Sequence, residues 1–143
     1  MDPGRTPPGH RAPEFVGVHH VRLPVSDVLR SRDWYLDVLG FEPILVVEEE
    51  GGVTGVVLEH PCGITMGLHL EPRRAAALSA FAALALCVGD RHNLEVWCSH
   101  LGQLGLEHSP IIEGHIGYSV QVPDPDGIFI QLHTSGHPSA DEA

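Results

Sequence analysis

Positive charge is scarce in this chain. Eight Lys and Arg residues stand against 19 Asp and Glu, a formal net charge of −11. Nucleic-acid binding needs a basic footprint, so that class is excluded. Attraction to an anionic membrane surface is excluded on the same ground. Cysteine is scarce too: Cys62, Cys87 and Cys98 are odd in number, widely spaced and without a Cys-x-x-Cys pair. A disulfide framework or zinc ribbon is not expected, and free thiols in a reducing cytosol are. No apolar run is long enough to span a bilayer. The first 13 residues, rich in Pro and Gly, lack the apolar segment of a secretory signal. These features predict a cytoplasmic protein with no membrane partner.

What is present is a repeat. With 143 residues and 43% hydrophobic content, the chain has room for one domain or two intimate half-domains. Residues 1–14 read as a flexible arm and 136–143 as a flexible tail; His10 and His137, near these ends, receive no role. Between them, 15–135 reads as one domain of two modules, 15–72 and 80–135, joined by an alanine-rich link over 73–80. Each module reads strand, helix, then three strands. A module of this size buries its core poorly alone, so the two are expected to pack together and form a cleft.

The first strand is expected over Val16 to Val25. Ser26 is expected to cap a helix over Asp27 to Leu39, with Val28, Tyr35, Val38 and Leu39 on its apolar side and Gly40 as its stop. Strands follow over Glu42 to Val47, Val53 to His60 and Ile64 to Leu70. The second module opens on Phe81 to Val88. Asp90 then caps a helix carrying Leu94, Trp97, Leu101 and Leu104, a core stripe rather than an aromatic binding box. Strands near Glu107 to Ile112, His115 to Val122 and Ile128 to His133 complete it, the last two joined by the turn Asp124-Pro125-Asp126-Gly127.

Strand alternation selects the cleft. The helix covers one face of each sheet, so apolar residues face it and the alternate residues face the cleft. That places His20, Arg22, His69, Gln131 and His133 in the cleft beside Phe129, Ala83, Ala85 and Cys87. A mostly apolar pocket with a few convergent polar groups is the default ligand site. His19 is assigned to the helix side by the same alternation, as a core or edge residue, and Tyr118 to the core. His60, His92, His100 and His108 read as solvated, and His115 as a loop residue or a cleft border.

Three stretches carry a family resemblance: His20-Val21-Arg22-Leu23-Pro24-Val25-Ser26-Asp27, Trp34-Tyr35-Leu36-Asp37-Val38-Leu39-Gly40-Phe41, and Pro123-Asp124-Pro125-Asp126-Gly127. In this order within a repeat, they resemble the vicinal oxygen chelate superfamily of glyoxalase I, bleomycin-resistance proteins and extradiol dioxygenases. The resemblance implies an α+β fold: two tandem βαβββ modules forming a cupped mixed-sheet half-barrel, one helix covering each sheet. It also implies a homodimer, a small-molecule substrate or ligand, no nucleotide cofactor, and in its metalloenzymes one divalent ion (Fe, Mn, Ni or Zn). The ligand positions carried over are His20, His69, Ala83 and Gln131.

Two of these depart from the family pattern. Alanine cannot bind a metal, and Gln131 offers a carbonyl oxygen without charge where a glutamate is common. The Tyr expected near Gln121 in extradiol enzymes is absent, and neither Ala83 nor Gln131 supplies a carboxylate base. Glu71 and His133 are the nearest substitutes, each about 6–7 Å further along its strand. Metal ligation by His20, His69 and Gln131 therefore stands beside the alternative that the histidines bond backbone, water or ligand directly. Arg22 reads as a substrate-anion contact or as a partner of Glu71, and His133 as a base, a spare ligand or a rim residue.

Two function classes follow. One is a metal-assisted lyase, isomerase or dioxygenase in which Arg22 and His133 position substrate or move a proton. The other is a metal-free protein that binds or sequesters a small molecule such as an antibiotic.

Overall fold

The computed structural model describes residues 4, 5 and 7–136. The expectations for residues 137–143 of the tail, His137 included, and for residues 1–3 and 6 of the arm lie outside the described residues. Module one runs β1 (Val21–Val25), α1 (Val28–Leu39), β2 (Glu42–Glu49), β3 (Gly52–Glu59) and β4 (Thr65–Leu70). A short α2 (Pro72–Ala77) follows. Module two runs β5 (Ala82–Gly89), α3 (Arg91–Gln103), β6 (Ile112–Gly114), β7 (Gly117–Pro123) and β8 (Phe129–Thr134). Each module forms an open four-stranded mixed sheet, ordered β1-β4-β3-β2 and β5-β8-β7-β6. In both, the first and last strands pair in parallel and the others antiparallel. The α+β architecture of paired βαβββ modules is as the sequence implies.

Local chemistry explains the elements. Asp27, not Ser26, caps α1: its carboxylate accepts the Arg30 N–H at 3.1 Å. Ser26 is drawn away to Asp126, whose carboxylate accepts both its backbone N–H and its hydroxyl. Gly40 ends α1 in the left-handed region at φ 79°, where a Cβ would be costly. Asp90 caps α3 as expected, accepting from Asn93 N–H at 2.8 Å. The first strand is shorter than its apolar pattern predicts, because 11–20 are exposed and unpaired in any sheet.

The core spans both modules: Leu23, Tyr35, Met66 and Leu68 from the first join Leu94, Leu101, Val120 and Ile130 from the second in one buried cluster. Of the predicted α3 stripe, only Leu94 and Leu101 are buried; Leu104 is exposed at the helix end and Trp97 is half-buried. Tyr118 is buried as expected, with the Arg91 guanidinium 4.5 Å from its ring centroid.

The Asp-Pro-Asp-Gly turn does more than reverse the chain. Buried Asp124 takes two backbone N–H bonds on Oδ1, from Asp126 and Ile128, and the hydroxyl of buried Tyr35 on Oδ2 at 2.9 Å. The next carboxylate, Asp126, holds Ser26 at the start of α1. The turn of module two is thereby locked onto the helix of module one. His100, read as solvated from sequence, instead joins the modules: its Nε2–H donates to the Val38 carbonyl at 2.9 Å.

Candidate functional site

The site is built on the face of the β1–β4 pair turned away from α1. Parallel pairing sets Arg22 beside Gly67 and Pro24 beside His69. Gly67 leaves room there: a Cβ on it would lie 3.4 Å from His69 Nε2 and 3.9 Å from His20 Cδ2, so both rings lean over the same bare backbone. His20, which just precedes β1, and Arg22 are exposed; His69 is half-buried. The structure thus brings His20, Arg22 and His69 together as alternation predicts.

His19 is corrected. It is exposed, and its Nδ1 lies 2.8 Å from His20 Nδ1, one ring donating to the other. Arg22 is not the partner of Glu71, which pairs with Arg74 at 3.2 Å. Arg22 Nη2 donates to His69 Nδ1 at 3.0 Å.

That bond decides the chemistry of His69. A guanidinium has only donors, so Nδ1 must accept, and the proton of the neutral ring sits on Nε2. Burial first, and the adjacent Arg22 charge second, lower the His69 pKa, against an opposing pull from Glu71. The ring is held neutral with an N–H, not a lone pair, on its second nitrogen. Metal-bound histidines show the reverse arrangement, donating from the distal nitrogen to an acceptor.

Gln131 and His133 lie on the corresponding face of module two, beside Ala85 and Cys87. Gln131 Nε2 donates to Ser119 Oγ at 3.3 Å. His133 Nδ1 donates to the Thr134 carbonyl at 2.6 Å, which leaves its Nε2 with the lone pair. No hydrogen bond or ion pair among the described residues joins Gln131 or His133 to His20, Arg22 or His69. Ala83 departs from alternation: a register shift between Ala82 and Leu84 turns it toward the core, against which it packs half-buried. Comparing the two registers, Gln131 is the counterpart of Gly67, and His133 the counterpart of His69.

The donor set within one chain does not fit a divalent ion. Among the described residues, no three His, Cys, Asp or Glu side chains are placed to hold one. His69 offers a proton where a ligand needs electrons. What the face can do is donate hydrogen bonds, from the remaining Arg22 N–H groups and from His69 Nε2, to an oxygen-bearing ligand.

The Asp124–Tyr35 and Asp126–Ser26 contacts are not legible in the sequence, since nothing in a turn motif reveals its distant partner. Their common signal was the pair of carboxylates in one turn. Burial raises the Asp124 pKa against the lowering effect of its three hydrogen bonds, and burial with the nearby Asp124 charge raises Tyr35 well above its ordinary value.

The comparisons agree with the fold. Residues 17–132 match the family model of the Glyoxalase/Bleomycin resistance protein/Dioxygenase superfamily, and the chain belongs to that family. A curated relative, the putative ring-cleaving dioxygenase MhqA of Bacillus subtilis (strain 168), is 27% identical over 128 residues, 85% of this chain. The chain spans 40% of that relative's length. Among solved structures, a glyoxylase/bleomycin resistance protein/dioxygenase domain from Frankia sp. EAN1pec superposes with a TM-score of 0.69 at 21% identity, covering 85% of this chain and 99% of that one. A mutant of the fosfomycin resistance protein FosX from Listeria monocytogenes, complexed with Mn(II) and 1S,2S-dihydroxypropylphosphonic acid, gives 0.67 at 14% identity, covering 91% and 100%. At these identities the structural matches establish the fold alone.

Proposed function

We propose that the protein binds a small molecule bearing a carboxylate, phosphonate or vicinal oxygens on the face formed by His20, Arg22 and His69, without a metal ion. The observation that carries this reading is the Arg22–His69 hydrogen bond, which fixes His69 as a donor. Arg22 supplies charge and planar donor geometry to an anionic group, and His69 Nε2–H supplies a second donor beside it. The chain is acidic overall, which favours cationic ligands at long range, but at this face the directed donors outweigh that diffuse field.

We also expect two copies to pair and cover this face. Edge strand β2 exposes Ile44, Leu45 and Val46 in succession, an apolar strip that a second copy would bury. Pairing could bring module two of the partner, with Gln131 and His133, opposite module one. The free thiols of Cys62, Cys87 and Cys98 suit a reducing cytoplasm. Among the described residues, no helix is long and apolar enough to cross a membrane.

The metal-assisted enzyme is the second reading. It is favoured by His133, whose Nε2 carries the lone pair a ligand needs, and by the Mn(II) of the FosX complex. Calorimetric titration with methylphosphonate and lactate, with and without chelator, separates the two. The expected result is chelator-insensitive binding that is lost in Arg22→Gln and His69→Ala. Binding that requires added Mn(II), or stoichiometric metal in untagged protein that His20→Ala/His69→Ala abolishes, would overturn the metal-free reading.

A further inference from the structure

A separate cavity of about 190 Å³ lies at the seam between the modules. Leu39, Phe41 and Ile64 of module one and Leu86, Val88 and Leu132 of module two form its apolar wall. None of the residues proposed to bind ligand on the sheet face lines it. An apolar cavity of about 150 Å³ already stays dry and admits benzene, so this one has the size for a monocyclic aromatic molecule.

The wall is not uniformly apolar. His60 and Asn93 also line it. His60 Nδ1 accepts the Cys62 N–H at 3.0 Å, so the neutral ring carries its proton on Nε2, where no hydrogen bond is made among the described residues. The Asn93 amide nitrogen donates to the Val88 carbonyl at 2.7 Å, which fixes its orientation and leaves Oδ1 as an acceptor. The Trp97 indole and the Cys62 and Cys87 thiols complete the lining; a single hydroxyl reaching both His60 and Asn93 would accept from the first and donate to the second.

We infer that the seam cavity binds a monocyclic aromatic molecule carrying one hydroxyl, of the phenol class. Its ring would lie among the leucines, Phe41, Ile64 and Val88, and its hydroxyl would meet His60 and Asn93. Because both modules wall the cavity, such a ligand binds only while they are docked, so occupancy stabilises the seam by mass action. The inference is independent of the sheet-face reading, since it uses other residues.

The test is an amide and indole NMR titration of the full chain with phenol and, separately, toluene. Saturable shifts are expected at Leu86, Val88, Asn93 and the Trp97 indole, which also lines the cavity. Ile64→Phe, which fills the cavity, is expected to weaken phenol binding by about tenfold or more, roughly 1.4 kcal/mol. Absence of saturable shifts at these residues, shifts confined to His20 and His69, or unchanged affinity in Ile64→Phe would overturn it. Should Ile64→Phe fail to fold, Asn93→Ala at an exposed position serves instead. Phenol affinity is then expected to fall while toluene affinity holds, and an equal response to both ligands would refute the hydroxyl assignment.

Discussion

Removing one oxygen, in Tyr35→Phe, is expected to loosen the join between the two modules. Tyr35 is fully buried, and its hydroxyl donates to Asp124 Oδ2 at 2.9 Å; Asp124 itself is 5% exposed. The substitution leaves Oδ1 with its two backbone donors but deprives Oδ2 of its donor. A hydrogen bond to a charged group is worth about 1.5–3 kcal/mol, and a buried carboxylate oxygen left unpaired has no water to replace it. A loss of about 2 kcal/mol follows. For a chain of this size that lowers Tm by roughly 4–8 °C.

The same pair carries a pH signature. The Tyr35 pKa is raised by burial and by Asp124, so the folded state keeps a proton that the unfolded chain releases above about pH 10. This contribution is fully present below pH 10 and is lost as the pH climbs toward the folded-state value. Phenylalanine has no such proton, so the gap between wild type and variant narrows above pH 10. Urea titrations followed by circular dichroism at pH 7 and through the alkaline range measure both effects. A change below about 0.5 kcal/mol at pH 7, with the alkaline limb unaltered, would refute the assignment of this bond as a lock.

Three further outcomes are expected. By NMR titration, His69 should protonate below its ordinary value, and Arg22→Gln should raise its pKa, since the guanidinium is one of the causes of the depression. The sign is that of a depressed base: its contribution to stability is present above about pH 6.5 and lost as pH falls through the folded value. Gly117→Ala should destabilise by roughly 2–3 kcal/mol in thermal melts, because φ is +136° and a Cβ would sit 2.6 Å from both the Gly136 carbonyl and Thr134 Oγ1. Asp27→Ala should cost about 1 kcal/mol through loss of the cap on Arg30 N–H, with ligand affinity at the sheet face unchanged.

Much of this molecule is legible one element at a time. The helices over Val28–Leu39 and Arg91–Gln103, the Asp90 cap, the Gly40 stop and the order of strands follow from periods and turn residues that act within a few positions. Alternation in β8 is borne out strictly, with Ile130 and Leu132 buried and Gln131 and His133 half-buried. It fails at Ala83, where one extra residue in β5 breaks the pairing with β8, and no local pattern announces a bulge.

The sequence by itself determined the repeated module, the family and most of the alternation along the strands, Ala83 and His19 excepted. These depend on local backbone preference and on apolar spacing along one strand or helix. Only the tertiary structure decided what the alternating residues do. Arg22 and His69 stand 47 positions apart, and the bond between them sets which nitrogen of the ring holds the proton. Tyr35 and Asp124 stand 89 positions apart, and their contact turns a surface loop into a buried lock. Hydrogen bonding and desolvation act through space, so a residue's protonation and its role belong to its neighbours in the fold.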